Sequence, residues 1–291
     1  MDKSWKIIDL LKTVSQFLKE KGIENPRLNA ELLLGKVLHL TRVNLYVQYE
    51  RPLSRQELDD YRELIRRRSQ HEPLQYLLGQ TEFMGLPFRV RPGVLIPRPE
   101  TEILVEETLK LKNALKATKP LIVDVGSGSG CIAVSLAKHW PQSEIVATDI
   151  SQTALETIRE NAELNEVVEQ IRIVEHDIFT RWDENLPQTF DVLVSNPPYI
   201  AQHELNELPK EVREYEPLLA LTDNDQGYRF YDRFFEMVKE RHITVRFLML
   251  ELSGTQADRI VERTKHYGLN RTEVICDLNG IKRVLKIKVN E

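Results

Sequence analysis

The chain has 291 residues, of which 41% are hydrophobic and 29% charged, and carries a net charge of −5. The length exceeds the roughly 100–150 residues of a common domain, so one full-sized domain with a smaller companion is expected, and the apolar content excludes a disordered chain. The acidic balance argues against a nucleic-acid backbone as main partner, so no direct nucleic acid is expected.

Charge is unevenly spread. Residues 1–80 hold 14 Lys/Arg against 11 Asp/Glu, which makes the front part mildly basic and the remainder strongly acidic. The opening residues run straight into an amphipathic pattern broken by Asp9 and Lys12, leaving no signal-peptide core. The longest apolar runs, such as Phe247 to Leu250, are too short to cross a bilayer, so a cytoplasmic chain with no membrane partner is expected. Cys131 and Cys276 lie far apart in sequence and are expected as buried thiols, neither a disulfide nor part of a metal cluster.

In chain order, residues 4–21 place Ile7, Leu10, Leu11, Val14, Phe17 and Leu18 on one helical face, stopped by Gly22. Asn25-Pro26 predicts an N-cap and first turn for a helix through about Leu38. Ser54 with Glu57 fits a capping box, and Leu58, Tyr61, Leu64 and Ile65 continue that helix. Residues 1–78 therefore read as a helical domain. Residues 79–98 read as a β-hairpin linker, with extended stretches at 83–90 and at Val94 to Ile96. From Pro120 on, strand-length apolar runs alternate with helical patterns, so residues 99–291 are expected to form an α/β, Rossmann-like, mainly parallel sheet. Asp277 to Gly280 reads as a turn that closes an antiparallel pair at the C-terminal edge.

The first of those strands, Leu121 to Val125, ends in Gly126-Ser127-Gly128-Ser129-Gly130, and a helical pattern follows. In a doubly wound sheet such a turn lies at the strand's carboxyl end and lets the backbone approach a nucleotide closely. Asp149 ends the next strand, 23 positions after Gly126, where an acid accepts hydrogen bonds from ribose hydroxyls. The spacing is G-x-G-x-G behind Asp124, not the pyrophosphate fingerprint, and no Lys-Ser/Thr pair follows. A nucleoside without phosphate, S-adenosylmethionine, fits these signals. Asp177, in the loop after the third strand, is placed to accept from an adenine amino group.

Asn196-Pro197-Pro198-Tyr199 follows the fourth strand on the same sheet edge. The prolines fix the backbone and donate no hydrogen bonds, so the Pro197 carbonyl and the Asn196 side-chain oxygen become a rigid pair of acceptors suited to an NH2 group. Tyr199 is placed to pack on the planar group that carries it.

With these motifs the chain resembles the release-factor glutamine methyltransferases of the HemK/PrmC type, within class I. The likeness rests on Arg67-Arg68 with Glu72 to Tyr76 and Gly79, on Phe83 to Phe88, on Val94 to Glu102 and on the two motifs above. It implies methyl transfer from S-adenosylmethionine to the glutamine amide in the Gly-Gly-Gln loop of peptide-chain release factors. Under that likeness Asp124, Gly126 to Gly130, Asp149, Asp177, Ile178 and Asn196 bind the cofactor. Asn196, Pro197 and Tyr199 serve the reaction, and Asn196 to Tyr199 hold the glutamine. The helical front domain contacts the release factor, and Arg98 and Glu100 lie near the substrate entrance. Two departures stand out: Ile178 sits where relatives carry an aromatic, and Glu251-Leu252-Ser253-Gly254 replaces a shorter Glu-x-Gly.

The alternative is an adenine-N6 DNA or RNA methyltransferase, which uses a similar motif for an exocyclic amine. Against it stand the acidic catalytic half and a single compact basic run, Arg66 to Arg68, which also suits a helix C-terminus. The scattered histidines predict no metal site.

Overall fold

The structure, a computed structural model, describes residues 5–115 and 117–289; the expected start of the first helix at Ser4 lies outside them. Two compact units emerge. One takes the chain up to Gln80 together with Pro209–Tyr215, the other Thr81–Leu208 and Glu216 onward.

The first unit begins with α1 (Ile7–Glu20), α2 (Pro26–Leu38), α3 (Arg42–Val47), α4 (Arg55–Ser69) and α5 (Leu74–Leu78). The expected face of α1 is buried at Ile7, Leu10, Leu11, Val14 and Leu18, while Phe17 stays at its exposed margin. Ser54 and Glu57 form the expected capping box on α4. Asn25 does not act as a side-chain cap: its φ of 48° is left-handed, and its carbonyl instead accepts from the backbone and side chain of Asn29. The short α3 and α5 go beyond the sequence reading, because five or six residues show too little periodicity.

The second unit opens with a hairpin of β1 (Gln80–Phe83) and β2 (Leu86–Arg89), joined through Met84 and Gly85, both at positive φ as a two-residue hairpin turn requires. Val94 and Ile96 are buried but lie in no strand, contrary to the expected extended pairing; the Ile96 N–H donates to Glu216 instead (3.2 Å). Then come α6 (Pro99–Lys110), started by proline at its first position, α7 (Lys112–Leu115), β3 (Leu121–Val125), α8 (Cys131–His139), β4 (Glu144–Asp149) and α9 (Gln152–Leu164). These are followed by β5 (Ile171–Glu175), β6 (Thr189–Ser195), α10 (Lys210–Tyr215), α11 (Leu218–Leu221), α12 (Arg229–Lys239), β7 (Thr244–Glu251), α13 (Ala257–His266), β8 (Thr272–Cys276) and β9 (Lys282–Lys288).

Seven strands form one sheet in the order β5-β4-β3-β6-β7-β9-β8, parallel except for β9, which runs antiparallel to both β7 and β8. The antiparallel C-terminal edge matches the expectation, with Asp277 capping the turn through Asn279 and Ile281. The chain winds outward from β3 to β5 and then restarts at β6 beside β3, which creates a switch point where the carboxyl ends of β3 and β6 meet. Apolar clusters built around Ile122, Val192 and Met249 on one face and Val123, Leu193 and Leu248 on the other bury the strands on both sides. Cys131 is buried as expected; Cys276 is exposed, because it ends the outermost strand.

Helix α10, though it belongs by sequence to the stretch after β6, packs in the first unit: Glu211 pairs with the buried Arg68 (2.9 Å), and the Tyr215 hydroxyl donates to the Gln70 carbonyl (2.9 Å). Arg66 and Arg67 are taken up by Glu63 and Glu72, so the one basic run of the sequence is committed to ion pairs within its own unit.

Candidate active site

A cavity of about 340 Å³ opens at the switch point of the second unit, within the size range of small-molecule sites. Its floor is the turn after β3. Gly126 and Gly128 have φ of 71° and 56°, and nothing lies within 4 Å of where a Cβ would stand on either. The Gly128 N–H donates to Asp149 (2.9 Å), whose second oxygen accepts from the Ser151 N–H (2.9 Å). Asp149 thereby joins the ends of β3 and β4. Burial raises its pKa, against the backbone donors that lower it. Gly130 faces Ile158 of α9 and does not line the cavity; its role is close packing.

Asp124 is fully buried, outside the cavity wall, and neither carboxyl oxygen has a hydrogen-bond partner among the described residues. Burial pushes its pKa up to about 7.

The wall after β5 carries Asp177, Ile178 and Phe179. Asp177 turns one oxygen to the Phe179 N–H (2.9 Å). Ile178 is 5% exposed and packs in the core, whereas Phe179 meets Phe230 edge-on at 4.8 Å between centroids and lies under the Arg229 guanidinium at 4.0 Å. Phe179, Arg229 and Phe230 line the cavity although the sequence reading gave them no role; residues 179 and 229–230 are too far apart in sequence for a motif to reveal them.

The opposite wall is Asn196-Pro197-Pro198, with Arg98 and Thr101 from the start of α6. Ser195 ties the end of β6 to the carbonyl of Val125 in β3 (2.7 Å), and the Ile200 N–H donates to the Leu221 carbonyl (2.9 Å), so the motif is pinned at both ends. The Asn196 NH2 donates to the Thr101 hydroxyl (3.1 Å). Tyr199 does not line the cavity. Its ring packs against the core, its phenol faces the buried Glu251, and burial raises its pKa. The Tyr199 carbonyl accepts from the Gln256 side chain (3.0 Å).

Arg98 lines the cavity but pairs with the buried Glu216, and Glu100 lies away from the cavity beside Arg283 (3.7 Å). The sequence reading holds Thr101 and Glu251 only as members of family stretches, without a role of their own, and Gln256 not at all, because their parts depend on tertiary proximity. Among the described residues, no group of His, Cys, Asp and Glu is arranged to hold a metal ion, and no helix is long and apolar enough to cross a membrane.

Residues 9–79 match the family model "PrmC N-terminal domain" and residues 100–212 the "Methyltransferase small domain". The chain is similar to the "Release factor glutamine methyltransferase" of Chlorobaculum tepidum, 46% identical over 79% of each chain. It is 41% identical to the protein of the same name from Geobacter sulfurreducens, over 97% of this chain and 96% of that one. A solved N-terminal domain of human METTL16 in complex with SAH matches with a TM-score of 0.52 at 17% identity, over 96% of this chain and 95% of that one. At that identity the likeness concerns the fold, that of a class I methyltransferase.

Proposed function

The chain belongs to the release factor glutamine methyltransferase family, and on that premise we propose that it methylates the side-chain amide nitrogen of the glutamine in the Gly-Gly-Gln loop of peptide-chain release factors. The protein is a methyltransferase dependent on S-adenosylmethionine. When bound, that cofactor supplies an electrophilic methyl group on a sulfonium.

The residues present fit it. Gly126 and Gly128 leave open the space that side chains would fill. Asp149 spends one acceptor site per oxygen on backbone donors, and a carboxylate has about four in all, so capacity remains for ribose hydroxyls. Asp177 retains one oxygen toward an adenine amino group, with Phe179 and Phe230 forming an aromatic wall beside it. Ile178 contributes apolar surface. Asp124 acts indirectly from behind the turn, and Ser127 and Ser129 line the cavity floor.

An amide nitrogen is a poor nucleophile because its lone pair is delocalised into the carbonyl. The protein's task is therefore to hold both amide hydrogens and aim the nitrogen, an alignment of the kind that lowers barriers by about 7–11 kcal/mol in well-oriented reactions. Asn196 carries this reading: its NH2 is engaged by Thr101, so its Oδ1 is left as an acceptor on the cavity wall, next to a backbone stiffened by two prolines. Oδ1 and the Pro197 carbonyl accept the two amide hydrogens, and after transfer the surplus proton leaves to solvent. Tyr199 supports the motif from the core. Arg98, held by Glu216, shapes the entrance, and the helical unit engages the release factor. A translation factor as substrate fits a cytoplasmic enzyme.

The test supplies labelled S-adenosylmethionine with a release factor, with its Gln→Ala version in the Gly-Gly-Gln loop, and with adenine-containing DNA and RNA. Label on the intact factor alone is the expected result. Label on nucleic acid and on neither factor would transfer the activity to adenine N6.

A further inference from the structure

The Asn196 side chain is held from behind by residues to which the sequence motifs assign no role. Thr101, in the first turn of α6, is 2% exposed and receives the Asn196 NH2 at 3.1 Å. Behind it lies Glu251, the last residue of β7, also 2% exposed, whose carboxyl faces the Thr101 and Tyr199 hydroxyls and whose Oε2 has no hydrogen-bond partner among the described residues. A hydroxyl has one proton to give. With Asn196 donating to it, the Thr101 proton goes to the acid it faces.

We propose that Glu251 and Thr101 are positioning residues that set the polarity of Asn196: the Glu251 carboxylate draws the Thr101 proton, Thr101 then accepts only from the Asn196 NH2, and Oδ1 is turned to the substrate amide. An asparagine side chain is nearly symmetric in shape, so its orientation is decided by partners alone. Were the relay reversed, with a protonated Glu251 donating to Thr101 and Thr101 donating to Asn196, the NH2 would face the substrate NH2, donor against donor. The relay thus makes a distant acid decide whether the site accepts an amide. The inference rests on Asn196 being the acceptor for that amide.

The groups facing Glu251 are Glu100 and Thr101 of α6, Cys131 of α8, Tyr199 after β6, Tyr231 of α12 and Arg283 of β9. Burial outweighs the favourable ones and brings the Glu251 carboxyl up to about 7.

The experiment compares the wild type with T101V, T101S, E251Q and N196A, using full-length protein and a release factor that carries an intact Gly-Gly-Gln loop. Turnover is followed from pH 5.5 to 8.5, and S-adenosylhomocysteine affinity and thermal midpoint are measured in parallel. T101V is expected to lower kcat at least 30-fold with cofactor affinity within threefold, and T101S to recover at least a third of the wild-type rate. The wild-type kcat is expected to fall as pH drops through about 7, and this acid limb is expected to vanish in E251Q, which turns over slowly at every pH. The relay is overturned by T101V turnover within twofold of wild type, by T101S no faster than T101V, or by an acid limb that persists in E251Q. N196A separates the two readings: if it retains wild-type turnover, the acceptor role of Asn196 fails first, whereas an inactive N196A beside a fully active T101V sinks the relay alone.

Discussion

Asn161 of α9 and Arg89 of β2 exchange a pair of hydrogen bonds, the Arg89 N–H donating to Asn161 Oδ1 (2.7 Å) and Asn161 Nδ2 to the Arg89 carbonyl (3.0 Å). The same Nδ2 reaches the Ser129 carbonyl in the glycine turn (2.8 Å), and the side chain is fully buried. One amide therefore stands in for a partner strand on β2 and also fixes the turn beneath the cavity. Asn161→Ala orphans three backbone groups, the buried Ser129 carbonyl and two part-buried groups of Arg89, and at roughly 1–3 kcal/mol for an orphaned buried group the catalytic unit is expected to lose on the order of 2–3 kcal/mol. Thermal unfolding should show a drop of several degrees, with cofactor affinity lowered as the turn loosens. An unchanged midpoint would mean that water replaces the amide at no cost.

Gly227 guards the Tyr199 carbonyl. Its φ is 81°, and a Cβ there would stand 2.2 Å from that oxygen and 3.0 Å from the Gln256 amide. Gly227→Ala must push the end of the Asn196 to Tyr199 motif out of place, and displacements of this size cost about 100-fold in turnover when orientation carries catalysis. Turnover is expected to fall by that order while S-adenosylhomocysteine binds within a few-fold of normal, since the glycine turn lies across the cavity. Calorimetry with the product and initial-rate kinetics together decide it; equal losses in both would point to general unfolding.

The parts of this molecule that could be read in advance are those whose signal is local. The Gly126 to Gly130 turn, Asp149 at a strand end and the Asn196 to Tyr199 stretch each follow an apolar run in the sequence, and the switch-point topology brings them to one edge. What could not be read depends on contacts between distant residues. Tyr199 is aromatic and adjacent to the acceptors, yet its ring goes to the core because the chain must turn toward Leu221 at Ile200. Glu100 neighbours Thr101 in sequence, but helical geometry sends one toward Arg283 and the other to the cavity. Helix α6 is not expected from the sequence: Pro99 opens it, but the proline-rich approach reads as linker.

Asp149 is expected to act on the cofactor in two ways, as acceptor for it and as the clasp between Gly128 and Ser151. Asp149→Ala removes both, so product affinity should fall at least 100-fold. Asp149→Asn keeps a carbonyl oxygen for one backbone donor but turns an NH2 toward the other, and should give an intermediate loss. If both variants bound S-adenosylhomocysteine as the wild type does, the cofactor would have to lie elsewhere in the cavity.

Asp124 makes the stability of the cofactor-free protein depend on pH. Burial raises its folded pKa from 3.8 to about 7. Below pH 3.8 the folded and unfolded forms both hold the proton, so the group costs nothing. Between there and pH 7 the unfolded chain releases its proton while the folded one keeps it, and stability declines by about 1.4 kcal/mol per pH unit, on the order of 4 kcal/mol in all. Above pH 7 the loss is complete and constant. Glu251, raised by burial to about 7 as well, acts in the same direction, so the slope belongs to both acids. Asp124→Asn removes one share: the variant is expected to unfold at a higher temperature than the wild type at pH 8, with the difference shrinking as pH falls toward 4. Melting curves at four or five pH values measure this. A difference that stayed constant with pH would show that Asp124 is ionised throughout and that a donor has reached its unpaired oxygens.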